Sequence, residues 1–522
     1  MQRTHILIYD TTLRDGTQGS GMSLSVDDKV RIARRLDELR FDYLEGGWPG
    51  SNPKDIDFFR TIQNVPLKYV RVAAFGSTRK KDTAPQKDDN LRMLLEANTP
   101  VVTIFGKSSP FHVTAALETT LEENLHMISD SVAYLHRRGK EVIYDAEHFF
   151  DGFQADSTYA LSTLRAAHAA GAHHLVLCDT NGGTDFRAVA EIFRQVKEAF
   201  PAARMGIHAH NDSGYGVANS LAAIHEGAGM VQGTINGIGE RVGNADLVTI
   251  LGNLFRNNMA TKGNIDVSQL RALSRFVYEL ANLPPDARQP YVGDSAFAHK
   301  GGVHVDAVLK NPRLYEHIKP EAVGNRRQFL VSDLAGTAHI EALEGFGIKK
   351  RESLAKVVLK EIKRLEHQGY SFEVADGSLD LLVRGIQGEK TALFNLVEYR
   401  IDVARKDTAS AESCAVVRIN VNGDEVTTMA YGNGPVNALD SALREALISK
   451  YPELRDLRLE DYKVRIIPEE RGTAAKVRVL IESKIGEKTF GTVGVDENIV
   501  DASWKALVDS YCYAHLRIQR AK

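Results

Sequence analysis

Eight short apolar segments, separated by longer amphipathic segments, constrain the fold of this 522-residue chain more than any other feature. They span residues 5–10, 42–46, 70–75, 101–105, 141–146, 174–179, 205–210 and 230–235. Between the first two, Ser25 is placed to cap a helix, and Asp27 and Asp28 suit its positive end. The apolar segments are continuous rather than alternating, as in strands buried on both faces. Eight strands alternating with helices over about 250 residues predict a (β/α)8 TIM barrel.

Polar residues recur at the same end of these predicted strands. They are Asp10, Glu45, Glu147, Asp179 with Thr180, His208 with His210, and Asn236 with the 237–244 loop. A barrel of this kind carries its chemistry at the carboxyl ends of its strands. A doubly wound open sheet would also alternate strands with helices, but it would not explain this convergence. We therefore expect an active site at the barrel mouth.

The second half of the chain follows a different pattern. Helical stretches flank a segment, residues 299–306, that we expect to be irregular. Beyond about residue 394, three apolar strands followed by a helix occur twice, which predicts a pseudo-symmetric α+β domain. We therefore divide the chain into a catalytic barrel (1–260), helical linker subdomains (261–390) and a C-terminal α+β domain (391–522). The pattern alone leaves open whether this last domain dimerises the protein or senses a ligand.

Composition narrows the class of protein. The formal net charge is −3, so the chain offers no electrostatic case for binding nucleic acid or an anionic membrane. Three widely spaced cysteines indicate neither a disulfide framework nor a thiolate zinc site. No segment approaches the roughly 18 apolar residues of a membrane-spanning helix, and the start of the chain shows no signal-peptide pattern. We expect a cytoplasmic protein.

His208 and His210 indicate a metal site. Alternate residues of a strand point to the same face, so both imidazoles can hold one cation. A carboxylate from Asp10 or Asp15 could complete the pair, with Asn244 as a further oxygen ligand, although an asparagine there is also typical of a helix cap. Without a thiolate, this set favours Mg²⁺, Mn²⁺, Co²⁺ or Zn²⁺ in an open site.

Two further residues suit a carbonyl substrate at such a metal. Arg14 would provide a fixed cation for a developing oxyanion or a carboxylate, and the Thr180 hydroxyl could hold a carboxylate oxygen. A Lewis-acid metal that polarises the ketone of an α-keto acid would use all of these parts. Each residue has a plainer interpretation as well. Arg14 could balance the acids at the barrel mouth, Thr180 could satisfy backbone groups in a loop, and Glu45 could be structural.

Three motifs in this order resemble those of the DRE-TIM metallolyases: residues 10–18 (DTTLRDGTQ), 208–212 (HAHND) and 237–244 (GIGERVGN). Within that superfamily the chain resembles the α-isopropylmalate, homocitrate and citramalate synthases over essentially its full length. The β-rich tail is similar to their regulatory domain. Residues 45–55 (EGGWPGSNPKD) are similar to one branch of the citramalate synthases.

The resemblance implies roles for particular residues. Asp15, His208, His210 and Asn244 match the metal-binding positions of the family. The remaining matches are Arg14 and Thr180 for the keto acid, Glu147 for acid–base chemistry, His304 and Asp306 for the segment that meets acetyl-CoA, and Asn311, Leu314 and Tyr315 near the CoA portion. A tyrosine that selects pyruvate in some relatives lies two residues before the glutamate, where this chain has Asp145.

The reaction implied is a metal-dependent condensation of acetyl-CoA with pyruvate that gives (R)-citramalate and CoA at the start of an isoleucine route. Isoleucine is then the expected feedback inhibitor at the C-terminal domain, and a homodimer is the expected assembly. Three alternatives remain. They are a larger keto-acid acceptor, as in 2-isopropylmalate or homocitrate synthase, a hydroxymethylglutaryl-CoA-type lyase, and a non-catalytic ligand sensor.

Overall fold

The computed structural model describes residues 5–330, 352–405, 412–467, 475–486 and 488–521. Residues 331–351 of the predicted linker therefore lie outside the described residues. The chain forms two compact units: Met1–Phe297 with Ile318–Arg326, and Ala298–His317 with Arg327–Lys522. None of the helices within the described ranges is long and apolar enough to cross a membrane.

The first unit contains a closed barrel of eight parallel strands in sequence order. The strands are β1 (Leu7–Asp10), β2 (Tyr43–Gly47), β3 (Arg71–Ser77), β4 (Val101–Lys107), β5 (Glu141–Glu147), β6 (His174–Asp179), β7 (Met205–Ala209) and β8 (Met230–Gly233). Pairing of Leu7 with Met230 and of Asp10 with Gly233 closes the barrel. Every predicted apolar segment contributes one strand, so the predicted TIM barrel is confirmed.

Helices cover the outside of this barrel. They are α1 (Val26–Glu38), α2 (Pro53–Ile62), α3 (Asp89–Glu96), α4 (Pro110–Ala115), α5 (Leu121–His136), α6 (Phe149–Ala155), α7 (Ser157–Ala169), α8 (Phe186–Ala199), α9 (Gly216–His225), α10 (Leu247–Arg256) and α11 (Leu270–Leu280). Ser25 caps α1 as predicted: its Oγ accepts from the Asp28 N–H at 3.1 Å, and Asp28 Oδ2 accepts from the Ser25 N–H at 2.9 Å. This reciprocal pair satisfies two donors that the start of a helix leaves free.

Apolar side chains fill the inside of the barrel below its mouth. They are Tyr9, Tyr43, Ala73, Val101, Ile143, Val176, Cys178 and Met230, all buried. This packing fills the interior of the barrel, and a polar side chain within it is hydrogen-bonded, as Thr103 is to the Tyr9 hydroxyl at 2.7 Å. The carboxyl ends of the strands are thereby held by a rigid scaffold.

The second unit contains short and long elements of several kinds. They are β9 (Ala298–His299), α12 (Gly302–Lys310), β10 (Gln328–Phe329), α13 (Glu352–His367), α14 (Asp376–Ile386), β11 (Asn395–Ala404), β12 (Glu412–Val421), β13 (Asp424–Gly432), α15 (Pro435–Ile448), β14 (Arg458–Ile466), β15 (Val477–Ile485), β16 (Lys488–Asp496) and α16 (Ile499–Ala521). Strands β11–β13 and β14–β16 form two antiparallel sheets, and each is followed by a helix. The predicted twofold repeat of three strands and a helix is therefore present.

The segment predicted to be irregular, residues 299–306, runs into a helix. α12 begins at Gly302 and buries Val305 and Val308, which are one helical turn apart. The two glycines at 301 and 302 disfavour a helix by propensity, which explains why the sequence predicted an irregular segment. Burial of an apolar helix face outweighed that local preference.

Candidate active site

Asp15, His208 and His210 meet at the barrel mouth. His208 lies near the end of β7, His210 follows that strand, and Asp15 lies in the turn after β1. One ligand atom from each residue lies within 4.8 Å of the other two. Asp15 Oδ2 is 3.2 Å from His208 Nε2 and 3.9 Å from His210 Nε2. Of the two aspartates that the sequence left open, the structure brings Asp15 to the histidines.

The Asp10 carboxylate forms hydrogen bonds with Thr12 instead of contacting the histidines. It accepts the N–H of Thr12 at 3.1 Å and the hydroxyl of Thr12 at 2.7 Å. Burial raises the pKa of Asp10 to about 7. This residue shapes the turn that carries Asp15 rather than facing the histidines.

The site has a donor set that fits a divalent cation. The Nε2 atoms of His208 and His210 face each other at 3.4 Å, and a cation can bind the lone pairs of both. Asn244 donates from Nδ2 to Asp15 Oδ2 at 2.7 Å, while its buried Oδ1 lacks a hydrogen-bond partner among the described residues. A bound cation would satisfy such a carbonyl oxygen. All four predicted ligands are thus brought together.

The electrostatics favour metal-binding protonation states at Asp15 and His210. Burial alone would raise the pKa of Asp15, but Arg14 and His208 outweigh it and hold that pKa well below its usual value. Burial, reinforced by the nearby His208, lowers the pKa of His210 to about 4. Near neutral pH Asp15 is therefore ionised and His210 neutral, whereas burial alone would lower the pKa of His208, but its contact with Asp15 outweighs burial and raises that pKa.

Arg14 is held firmly beside this group. Its Nη1 lies 3.2 Å from Asp15 Oδ1, and its Nε donates to Glu45 Oε1 at 2.5 Å. The guanidinium also stacks over Phe75, with Cζ 3.7 Å from the ring centroid. Glu45, which the sequence left outside the catalytic set, is buried and also accepts from the Tyr9 hydroxyl at 2.7 Å. Its contact with Arg14, which the sequence did not predict, holds the Nε end of the guanidinium.

Glu147 and Thr180 lie on the same rim. Glu147 ends β5 and forms an ion pair with Lys107 at the end of β4. The Thr180 hydroxyl accepts the backbone N–H of His148 at 2.9 Å. Lys107 was not anticipated, because the sequence ended the fourth strand two residues too early. β4 ends at Lys107, so a correct strand end would have predicted this lysine at the barrel mouth.

A cavity of about 200 Å³ connects these residues. Its polar lining includes Arg14, Asp15, Glu147, Thr180, His208 and His210. Three aromatic rings form one wall: the ring centroids of Trp48, Phe75 and Phe105 lie 5.5–5.9 Å apart. The cavity therefore combines the group of Asp15, His208 and His210 with a cationic side chain and an apolar wall.

The other predicted residues belong to the second unit. His304 on α12 stacks on Tyr315, with 4.2 Å between ring centroids, and Asp306 pairs with Lys310 at 2.6 Å. Asn311 Oδ1 accepts the N–H of Arg313 at 3.0 Å, and Leu314 is 60% exposed. Their parts in the reaction stay predictions.

Three family models match consecutive parts of the chain. They are HMGL-like over residues 5–277, the homocitrate synthase post-HMGL domain-like model over 291–370, and the LeuA allosteric (dimerisation) domain over 373–515. Together they match the barrel, the region that follows it and the β-rich tail.

Curated relatives match along nearly the full length. The (R)-citramalate synthase of Aquifex aeolicus is 52% identical and that of Geobacter sulfurreducens is 51% identical, and each alignment covers 97% of both chains. A probable 2-isopropylmalate synthase of Methanopyrus kandleri is 34% identical, with 96% of this chain and 97% of the relative covered.

Proposed function

The chain belongs to the family of (R)-citramalate synthases, and we propose that it condenses acetyl-CoA with pyruvate to give (R)-citramalate and CoA. The observation that carries this proposal is the 52% identity to an (R)-citramalate synthase over 97% of both chains. The identity to a probable 2-isopropylmalate synthase is 34%, which disfavours the larger acceptor.

Asp15, His208, His210 and Asn244 hold a divalent cation in this proposal. Mn²⁺, Mg²⁺, Co²⁺ and Zn²⁺ all suit their oxygen and imidazole donors. A cation there supplies Lewis acidity towards the ketone of pyruvate. The grouping of Asp15 with both histidines supports catalysis over a silent ligand sensor.

Arg14 and Thr180 bind and orient the keto acid. Glu45 and Phe75 hold the Arg14 guanidinium, so its charge is fixed before the reaction begins. A fixed cation can stabilise negative charge that develops on the ketone oxygen without costly reorganisation. The Thr180 hydroxyl, which accepts from the His148 N–H, remains able to donate to a carboxylate oxygen of pyruvate.

A base, assisted by Glu147 or by a group that includes His304, removes a methyl proton from acetyl-CoA. The resulting enolate attacks the ketone carbon, so a C–C bond forms and the oxygen takes up the electron pair. Water then cleaves the thioester, which releases CoA and leaves a second carboxylate on the product. The Lys107 ammonium pairs with the Glu147 carboxylate and holds Glu147 at the rim. Asp306, Asn311, Leu314 and Tyr315 are proposed contacts of the CoA portion.

The aromatic wall supports pyruvate as the acceptor. Trp48, Phe75 and Phe105 crowd the cavity beside Arg14, where the carbon substituent of the keto acid would have to fit. A methyl group needs little space, whereas the isopropyl group of 2-oxoisovalerate needs more. Some relatives have a pyruvate-selecting tyrosine where this chain has Asp145. In this protein the aromatic wall provides the selectivity for pyruvate instead.

The proposal assigns a different role to each of three parts of the chain. Residues 1–260 catalyse, 261–390 link and 391–522 regulate and dimerise, in line with the match to the LeuA allosteric (dimerisation) domain. Isoleucine is the proposed inhibitor. A cavity of about 620 Å³ in the second unit supports this, because Asp440, Arg444 and Arg455 offer both charges that an amino acid requires, with Leu457 as an apolar surface. A homodimer in the cytoplasm is the proposed setting.

CoA release tests the reaction directly. Acetyl-CoA is supplied with pyruvate, 2-oxobutyrate, 2-oxoisovalerate and 2-oxoglutarate in turn, with Mn²⁺ and with EDTA. We expect turnover that requires the metal and is fastest with pyruvate. Faster turnover of a larger acid would overturn the acceptor, while no turnover with any of them would revive the lyase or sensor.

Removal of a metal ligand tests the site. Because the Lewis acid contributes several kcal/mol to the transition state, H208A should lower kcat at least about a hundredfold. H225A, on the exposed end of α9, is the matched control and should leave kcat unchanged. A folded H208A protein that retains most of its activity would refute the assignment.

A further inference from the structure

Gln232 connects an aspartate on one side of the barrel to a histidine of the proposed metal site. It is fully buried on β8, and its backbone lies in register with His208 on β7. Gln232 Oε1 lies 2.8 Å from His208 Nδ1, and Gln232 Nε2 donates to Asp145 Oδ1 at 3.0 Å. Asp145, which is 3% exposed, is therefore connected to the His208 imidazole by the side-chain amide of Gln232 alone.

Two hydrogen bonds connect His208, Gln232 and Asp145, and the donors and acceptors in them follow one order. The NH₂ group of Gln232 faces Asp145, and in its ionised form that carboxylate can only accept the hydrogen bond. The carbonyl oxygen of the same amide must then face His208 and can only accept from it. In the neutral ring of His208, Nδ1 consequently carries the hydrogen and the lone pair is left on Nε2. Nε2 is the atom that faces Asp15 and His210.

We propose that Asp145 and Gln232 are positioning residues that set the tautomer of His208 and so present its Nε2 lone pair to the metal. This inference rests on the proposed metal site. It explains why an ionisable residue occupies a buried position of β5 beside the cavity, where the pyruvate-selecting tyrosine of some relatives lies. The neighbouring Tyr144 points away and its hydroxyl donates to the Gly106 carbonyl at 3.4 Å.

His210 provides a comparison within the same site. Its Nδ1 is buried without a hydrogen-bond partner among the described residues. No described neighbour therefore accepts a hydrogen from its Nδ1, and its contacts with His208 and Asp15 are made through Nε2. Of the two imidazoles, only that of His208 is connected through Gln232 to Asp145. Substitutions of Gln232 or Asp145 should therefore change metal binding through His208.

The test measures Mn²⁺ affinity without substrates, from the electron paramagnetic resonance signal of free Mn²⁺, on the full-length protein. In D145N the new amide can donate to Gln232, which lets the glutamine turn its own NH₂ towards His208 and favours the wrong tautomer. We expect Mn²⁺ affinity to fall about 10–100-fold, as is usual when an outer partner of a metal-bound histidine is lost.

The double variant D145N/Q232E restores the pattern. The amide introduced at position 145 donates to the new carboxylate, which accepts from His208 Nδ1, and the total charge of the pair equals that of the natural residues. We expect Mn²⁺ affinity within about threefold of the natural protein. Q232M, which removes the acceptor at similar volume, should bind Mn²⁺ as weakly as D145N and replaces it if D145N does not fold.

Histidine ¹⁵N resonances of the metal-free protein separate a tautomer effect from a loss of charge. At about pH 8.5, well above the usual histidine pKa, His208 should be protonated on Nδ1 in the natural protein and the double variant, and on Nε2 in D145N. Unchanged Mn²⁺ affinity in D145N and Q232M, a double variant as weak as D145N, or an unchanged tautomer would overturn the inference. Unchanged Mn²⁺ affinity in H208A would instead remove the proposed metal site itself.

Discussion

His148 shows how a single backbone conformation supports the barrel mouth. It lies between the catalytic candidate Glu147 and α6, with φ 55° and ψ 36°, in the left-handed region. This conformation directs its N–H to the Thr180 hydroxyl at 2.9 Å. Its ring stacks on His112 with 3.6 Å between centroids. The backbone of His148, more than its imidazole, is what contacts a proposed substrate-binding residue.

Two substitutions of His148 separate the backbone from the ring. Glycine adopts the left-handed conformation freely, whereas a β-branched residue is strained there by about 1–3 kcal/mol. We expect H148G to keep the KM for pyruvate and H148V to raise it several-fold while lowering the thermal midpoint. Steady-state kinetics on both variants decide the matter. If H148G raises the KM as much as H148V, the ring rather than the N–H is important.

At the scale of elements, neighbouring strands build different parts of the site by parallel register. β3 and β4 carry Phe75 and Phe105, whose ring centroids lie 5.5 Å apart, and Trp48 follows β2. β6 carries His174 at the opposite, amino end of the barrel, 3% exposed and edge-on to Tyr43. One end of the sheet therefore shapes the cavity, while the other end contributes to stability.

Shortening the aromatic wall should change the acceptor. F105A removes most of a half-buried ring, and the space gained suits a longer substituent. A methylene in a hydrophobic pocket is worth about 1–3 kcal/mol, so the ratio of kcat/KM for 2-oxobutyrate to that for pyruvate should rise about tenfold. F111A, at a phenylalanine that is 69% exposed on α4, is the control. An unchanged ratio in F105A would show that this wall does not limit the acceptor.

His174 should make stability depend on pH. Burial lowers its pKa to about 4, although nearby Glu141 opposes this shift. The unfolded chain binds the proton at its ordinary pKa of about 6.5, so stability is full above that pH and is lost as the pH falls towards 4. The loss is at most about 3 kcal/mol.

Thermal unfolding of the natural protein and of H174Q between these pH values measures this contribution. The variant should lose less stability on acidification, since a glutamine does not titrate. H5Q, at an exposed histidine, is the control. Equal acid sensitivity in H174Q and the natural protein would contradict the prediction.

At the scale of the whole molecule, our proposal places the metal site in one unit and the inhibitor cavity in the other. The first unit contains the barrel and the Asp15, His208 and His210 group. The second contains the two sheets and the cavity lined by Asp440, Arg444 and Arg455. An inhibitor bound to the second unit acts on the first only through a coupling free energy, typically about 1–3 kcal/mol.

Arg455 tests this regulation in the full-length protein. If its guanidinium binds the carboxylate of isoleucine, R455Q should raise the half-inhibitory concentration at least about fivefold and leave kcat unchanged. R465Q, at an exposed arginine of β14 outside the cavity, is the control. Unaltered inhibition in R455Q would show that the inhibitor does not bind in this cavity. A natural protein that is insensitive to isoleucine would show that isoleucine is not the inhibitor.

The sequence by itself determined the barrel, the polar rim at its mouth and the histidine pair, because period, strand order and i, i+2 spacing are properties of the chain alone. Tertiary structure decided which of Asp10 and Asp15 meets the histidines, since each carboxylate takes the partners that folding brings to it. It also placed Glu45 against Arg14 and Gln232 between Asp145 and His208. These contacts join residues 24 to 87 positions apart, and no local pattern encodes them. Hydrogen-bond direction across a closed barrel depends on register and burial together, which only the folded chain establishes.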